Sequence, residues 1–402
     1  MNKKHKVLFV SPGASFTGVP VLFSNMLSWL NENSSIIPFI LTSGSGPIEK
    51  KYHELAQVYK WDGQSELSGL NRFYFIRVIK RILKKCVSIK EATYKETLLK
   101  TLERQKFDLI YANSVASCEI LKDLKKYLPC KVICHIRELE ISIFQFCGNE
   151  LLHSLIPFID LIIADSDSVR ENLIVNHGVK EEKVIKIYEY IILSDAATLI
   201  NHLAKGFNME LRKNIGIPNN AFIVASCGTT DWRKGADLVV QIAKKVYSKT
   251  TLPIHFIWIG GDNNGLEFQK LYYDLVKLNL QNYIHFLGIK EKPMEYFLIA
   301  DVFMLCSREE PVGIVALEAA SLGKPILCFD QAGGMSEFVE DDCGFILPYL
   351  DIDAMADRII QLQDDRSLLL KLGDNAARKV QRHDINIACK EIKSLINSVI
   401  ES

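Results

Sequence analysis

The chain of 402 residues is long enough for two or three domains with substantial cores. Its 48 Lys and Arg balance its 48 Asp and Glu, so no whole-chain positive excess points to nucleic acid. No stretch approaches the roughly 20 uninterrupted apolar residues of a membrane span, and none of the ten cysteines forms a CxxC pair, which argues against a metal or redox cysteine framework.

Met1-Asn2-Lys3-Lys4-His5-Lys6 leads straight into a strand rather than the apolar core of a signal peptide, which predicts a cytoplasmic chain. Its cysteines are then expected as reduced, buried residues, Cys130 and Cys134 among them. Short β-branched or aromatic runs alternate with amphipathic segments of helical length, the pattern of βαβ units, so the fold class is α/β with parallel sheets. The first series of strands is expected at 6–11, 39–42, 108–112, 131–135 and 161–164.

After the first strand, Ser11-Pro12-Gly13-Ala14-Ser15-Phe16-Thr17-Gly18 opens an amphipathic helix, but it lacks the GxGxxG spacing of a nicotinamide site. The segment 71–106 carries eleven Lys or Arg against three Glu, interleaved with apolar residues such as Phe73, Ile76 and Ile79. A helix there buries one face and offers cations to an anionic membrane surface or a lipid diphosphate; a plain solvated face fits the same pattern. Asn113 follows the third strand, and strand periodicity puts His135 and Arg137 on one face at the end of the fourth. Asp165-Ser166-Asp167 has the outline of a metal-binding DxD element, but Ser168-Val169-Arg170-Glu171 reads as the capping box of a helix, so no metal is expected.

The polar stretch 193–220, with the turn Gly216-Ile217-Pro218, marks the expected domain boundary. This gives an N-terminal domain over 1–200, a second over 201–380, and a final helix over 381–402 packing back on the first. A second series of strands is expected at 221–227, 255–260, 283–287, 302–305 and 326–329. Two doubly wound domains would turn the carboxyl ends of their strands toward a central cleft, where such sheets bind ligands.

The most informative segment is Glu310-Pro311-Val312-Gly313-Ile314-Val315-Ala316-Leu317-Glu318-Ala319. A strand ends before it, Gly313 permits close backbone approach, and the first N–H groups of the helix it opens suit an anion. This stretch resembles the Glu-Pro-Phe-Gly, four residues, Glu-Ala signature of the retaining family 4 glycosyltransferases, with Val312 in place of phenylalanine. Gly333-Gly334 with Glu337, and Cys343-Gly344-Phe345-Ile346-Leu347-Pro348, continue the resemblance. Upstream, Gly228-Thr229-Thr230-Asp231-Trp232-Arg233-Lys234-Gly235-Ala236-Asp237 is similar to that family's Gly-Arg-Leu-x-x-x-Lys-Gly-x-Asp element.

The resemblance implies the GT-B fold of two Rossmann-like domains and a retaining, metal-independent transfer of a hexose-type sugar. The donor would be a UDP- or GDP-sugar, used as substrate with no cofactor, and the acceptor a glycan or lipid-linked molecule in surface polysaccharide biosynthesis. It implies catalytic roles for Glu310, Lys234, Arg233 and His135. Donor contacts would come from Gly18, Thr229, Arg233, Lys234, Ile289, Glu310, Gly313, Ile314, Val315 and Glu318, with Arg137 and Asn113 on the acceptor side. Thr229 occupies the family's arginine position, and Arg233 is expected to supply the missing cation. That departure also favours a non-catalytic nucleotide-sugar-binding subunit; a sugar-nucleotide epimerase of similar architecture is a further alternative. No nucleic acid is expected as partner, and the basic segment suits a peripheral site at the inner face of the cell membrane.

Overall fold

A computed structural model of the chain describes residues 4–15, 18–61, 92–203 and 207–402. They form two compact units, each built on one sheet. The first takes the described residues up to Ala164, then Arg170–Ile187 and Cys389–Ser402; the second takes Asp165–Val169 and Tyr188–Ala388.

The seven strands of the first unit are β1 (His5–Ser11), β2 (Ile36–Thr42), β3 (Gln57–Lys60), β4 (Leu109–Asn113), β5 (Lys131–Ile136), β6 (Leu161–Ala164) and β7 (Val184–Lys186). They run in the order β3-β2-β1-β4-β5-β6-β7 and pair in parallel throughout. The second unit carries β8 (Phe222–Cys227), β9 (Ile254–Ile259), β10 (Ile284–Phe286), β11 (Val302–Leu305), β12 (Ile326–Phe329) and β13 (Gly344–Leu347). Their order is β10-β9-β8-β11-β12-β13, again all parallel.

Parallel sheets are covered on both faces, so their central strands are apolar at nearly every position. β9, Ile-His-Phe-Ile-Trp-Ile, is buried along its whole length. Its Phe256 and Trp258 join one core with Val224, Met304 and helix Ala236–Lys249, while Ile257 joins the opposite core with Ile223, Phe303 and helix Ile314–Ser321. In the second sheet the strand order reverses between β8 and β11, and the turns leaving these two strands flank the switch point where doubly wound sheets bind ligands.

The chain passes to the second unit after Ile187, ahead of the polar stretch 193–220. Apolar residues near that stretch explain this, because Ile191, Ala196 and Ile217 all enter the second unit's core. Helix Ile385–Glu401 returns to the first unit: Cys389, Ile392 and Ile396 are fully buried, and the Lys393 ammonium donates to the Asn33 carbonyl at 2.7 Å. Three strands, β3, β7 and β13, go beyond those expected, and all three are edge strands of three or four residues.

Residues 71–91 of the basic segment lie outside the described residues; from 92 to 105 the chain is helical, with Lys95 over the Trp61 ring at 5.0 Å. Among the described residues no helix is long and apolar enough to cross a membrane. The described cysteine side chains are all free thiols, five of them buried.

Candidate functional site

The site in the second unit is built from the turns that leave β8 and β11. The first runs from Gly228 to Gly235 and starts helix Ala236–Lys249; the second runs from Cys306 to Gly313 and starts helix Ile314–Ser321. Backbone chemistry fixes how closely they cross. Gly235 has φ +73°, and a Cβ there would sit 2.1 Å from the Cys306 carbonyl oxygen, so only glycine fits. Gly313, at φ +80°, turns the chain into its helix in the same left-handed region, which is why the Glu-Pro-Val-Gly turn ends on glycine. The main chain of Glu310 donates to the Ala332 carbonyl at 2.7 Å and pairs with Gly333, anchoring the turn to the segment after β12.

This crossing brings Arg233, Lys234, Ser307 and Glu310 together. The Lys234 ammonium donates to Glu310 Oε2, and Ser307 Oγ donates to the same oxygen at 2.9 Å. Arg233 Nη1 lies 4.0 Å from Glu310 Oε1 and donates to the Glu309 carbonyl at 3.0 Å. Glu310 is buried, and burial pushes its carboxyl up; the charges of Lys234 and Arg233, with the hydrogen bonds from Lys234 and Ser307, outweigh that and hold it below the usual range. It is therefore an ionised acceptor paired with two cations. Thr229 is turned to local use: its hydroxyl donates to Asp231 at 2.5 Å, and Asp231 in turn accepts from the Lys234 main chain at 3.1 Å.

Glu318 lies on helix Ile314–Ser321, eight residues beyond Glu310. Burial, and then the charge of Asp195, push its carboxyl up to about 7. Gly313, Ile314 and Val315 occupy the start of this helix, whose first N–H groups have no intrahelical acceptor. Ile289 follows β10 on an exposed turn, 77% accessible.

The remaining expected residues belong to the first unit. Gly18 is the first residue of helix Gly18–Asn33, and Phe16 and Thr17 before it lie outside the described residues. Asn113 and His135 are register partners at the ends of β4 and β5. Arg137 joins them: Nη1 donates to Asn113 Oδ1 at 2.6 Å and Nη2 approaches His135 Nδ1 at 3.0 Å. A guanidinium only donates, so Nδ1 accepts, and the neutral imidazole carries its proton on Nε2. Burial, and then the Arg137 charge, hold His135 well below its ordinary pKa. His135 Nε2 and Asn113 Nδ2 are buried donors without hydrogen-bond partners. Sequence reasoning missed Glu138, which is buried and accepts from Ser114 Oγ and from the Arg137 main chain at 2.9 Å. It also missed Tyr111, whose hydroxyl lies 2.6 Å from His135 Nδ1.

The capping box expected from Ser168 is replaced by a different cap. The helix starts at Asp167, Ser166 Oγ accepts from the Val169 main chain at 3.2 Å, and the Glu337 carboxylate accepts from the main chains of Asp167 and Ser168, both at 2.9 Å. A carboxylate from the short helix Met335–Val339 thus fills the positive helix end in place of the box. Among the described residues no group of three or more His, Cys, Asp or Glu could hold a metal ion.

Residues 207–379 match the family model described as glycosyl transferases group 1. The chain is similar to an N-acetyl-alpha-D-glucosaminyl L-malate synthase of Bacillus anthracis, 24% identical over 55% of this chain and 60% of that protein. It is likewise similar to the O-antigen biosynthesis glycosyltransferase WclY of Escherichia coli, 26% identical over 60% of this chain and 66% of the relative. In both cases the match spans less than two thirds of the relative's length. Among solved structures, Anabaena Alr3699/HepE in complex with UDP and glucose superposes with a TM-score of 0.77 at 19% identity, covering 98% of this chain and all of that one.

Proposed function

We propose that the protein is a retaining, metal-independent glycosyltransferase, because residues 207–379 match the model described as glycosyl transferases group 1 and the two parallel-sheet units have the GT-B fold. It moves a hexose-type sugar from a nucleoside-diphosphate donor to a glycan or lipid-linked acceptor in surface polysaccharide biosynthesis. One observation carries this reading: the buried Glu310 carboxylate is paired with Lys234 and flanked by Arg233 at the switch point of the second sheet.

The chemistry that transfer requires is charge stabilisation of a departing diphosphate together with placement of the sugar. Lys234 and Arg233 meet the developing charge as side-chain cations, and the first N–H groups of helix Ile314–Ser321 add a fixed positive end. When a diphosphate draws the Lys234 ammonium, Glu310 is released to accept hydrogen bonds from sugar hydroxyls. Glu318, once ionised, accepts from the ribose. In the first unit, His135 Nε2 and Asn113 Nδ2 are donors for sugar or acceptor oxygens, with Arg137 holding both the imidazole and the amide in place.

Arg233 supports the transferase reading despite Thr229, because its guanidinium stands beside Glu310 while Thr229 bonds within its own turn. The decisive experiment is a thermal-shift screen of UDP- and GDP-sugars followed by NMR assignment of the product's anomeric configuration. A ligand at 100 times its Kd adds about 2.7 kcal/mol of stability. A protein that responds to no nucleotide sugar, or a product with inverted configuration, would overturn the reading.

A further inference from the structure

The turns that hold Lys234 and Glu310 are joined by a second set of bonds in which neither of those side chains takes part. The Arg308 guanidinium grips Asp237 with both arms, Nη1 to Oδ1 at 2.8 Å and Nη2 to Oδ2 at 2.7 Å. Nη1 also donates to the Trp232 carbonyl at 2.7 Å, and the guanidinium lies over the Trp232 indole, 5.1 Å from the ring centroid. The Arg308 main chain donates to the Arg233 carbonyl at 2.7 Å, and the Tyr349 hydroxyl donates to the Arg308 carbonyl at 3.1 Å. Only 10% of the Arg308 side chain is accessible, although it carries a full charge.

One residue therefore fixes three points of the neighbouring turn: the residue before Arg233, the main chain of Arg233 itself, and the first turn of the helix that Lys234 precedes. A planar, bidentate fork restrains both distance and angle, which a single flexible ammonium does not. Lys234 and Arg233 stand on the turn so held, and Glu310 stands two residues beyond Arg308 on the other. Misplacing such a group by about 1 Å can cost on the order of a hundredfold in rate.

We propose that Arg308, acting through Asp237 and Trp232, is a positioning residue that sets Arg233 and Lys234 against Glu310 and so makes the phosphate end of the site competent. This rests on the nucleoside-diphosphate reading above, and it specifies which part of the ligand depends on the fork. Contacts to the nucleoside come from Glu318 and its surroundings and are independent of it.

The test is calorimetric and NMR titration of wild type and Arg308→Ala with UDP, GDP, uridine and guanosine. The diphosphate that wild type binds should bind Arg308→Ala at least tenfold more weakly, while the matching nucleoside binds both proteins equally. Arg308→Lys, which keeps the charge and loses the fork, should show a diphosphate loss of at least threefold, and the exchanged pair Arg308→Asp with Asp237→Arg should recover most of it. Should Arg308→Ala fail to fold, Asp237→Asn gives the same split between diphosphate and nucleoside at smaller amplitude. Equal diphosphate affinity in wild type and variants overturns the positioning role, as does a parallel loss of diphosphate and nucleoside, which marks general damage. Wild type that binds neither diphosphate fails before any substitution, and that result removes the functional reading itself.

Discussion

Replacing Arg233 by Ala removes a cation whose Nη1 stands 4.0 Å from Glu310 and whose side chain is 26% exposed. One unit of charge developing about 6 Å from a guanidinium, at an effective dielectric constant near 20, amounts to roughly 3 kcal/mol. Partial exposure and the opposing Glu310 carboxylate reduce that by about half, leaving about 1.4 kcal/mol, a tenfold effect on rate. The variant should therefore transfer sugar at least tenfold more slowly at saturating donor, and its kcat/KM should fall by a similar or larger factor. The Glu309 carbonyl that Arg233 bonds is neutral, so the cost to folding is that of one ordinary hydrogen bond, about 1 kcal/mol. Steady-state kinetics with the donor found in the screen, beside urea denaturation, separates the two effects. Thr229→Arg in the Arg233→Ala background should recover part of the rate. Wild-type turnover in Arg233→Ala would refute the reasoning, since the leaving group would then draw its stabilisation from elsewhere.

Glu318→Ala should weaken nucleoside-diphosphate binding by about 1–3 kcal/mol, through loss of a charged acceptor from ribose; an unchanged calorimetric Kd would remove that assignment. Because the Glu318 carboxyl titrates near 7 in the folded chain, against an ordinary 4.5, the folded state keeps a proton that the unfolded state releases. Its stabilising contribution is complete below about pH 4.5 and disappears as pH rises through 7, so Glu318→Gln should raise Tm relative to wild type more at pH 8 than at pH 5. Turnover should survive excess EDTA, because side-chain cations meet the leaving charge; loss of rate restored by magnesium or manganese would contradict this. Gly235→Ala should destabilise the second unit by roughly 2–4 kcal/mol, through its left-handed φ and the collision with Cys306, measurable as a lowered urea midpoint. Changing Arg77, Arg81 and Lys84 together to Ser should reduce sedimentation with anionic liposomes and leave nucleotide binding intact.

The central strands were legible because burial on both faces forces continuous apolar runs such as Phe222–Cys227 and Ile254–Ile259. The edge strands β3 and β7 were not, since they bury little and so carry no such run. β2 starts at Ile36, ahead of the expected residue 39, and takes in Pro38, a residue that strands disfavour. The ladder tolerates it: Pro38 lies opposite Val7, while pairing with β3 starts only at Phe39, so that side of Pro38 has no neighbour needing its absent N–H. At the site, Glu310 and Lys234 could be placed together because a rigid sheet fixes the turns that bear them. Arg308 escaped notice, since a charged residue between Ser307 and Glu309 looks like solvated surface until its fork is seen closed on Asp237. The cap on helix Asp167–Glu171 was unreadable for a similar reason: Glu337 is 170 residues away from Asp167 in sequence.

The return of helix Ile385–Glu401 to the first unit has a bearing on biosynthesis. On the ribosome, residues 4–187 emerge long before Cys389, Ile392 and Ile396, whose side chains are fully buried in that unit. The first unit must wait, with an uncovered apolar seam, while the whole of the second is translated. Nonsense or frameshift lesions near codon 385 would consequently damage the half of the molecule made first and spare the core of the half made last, the reverse of what gene order suggests.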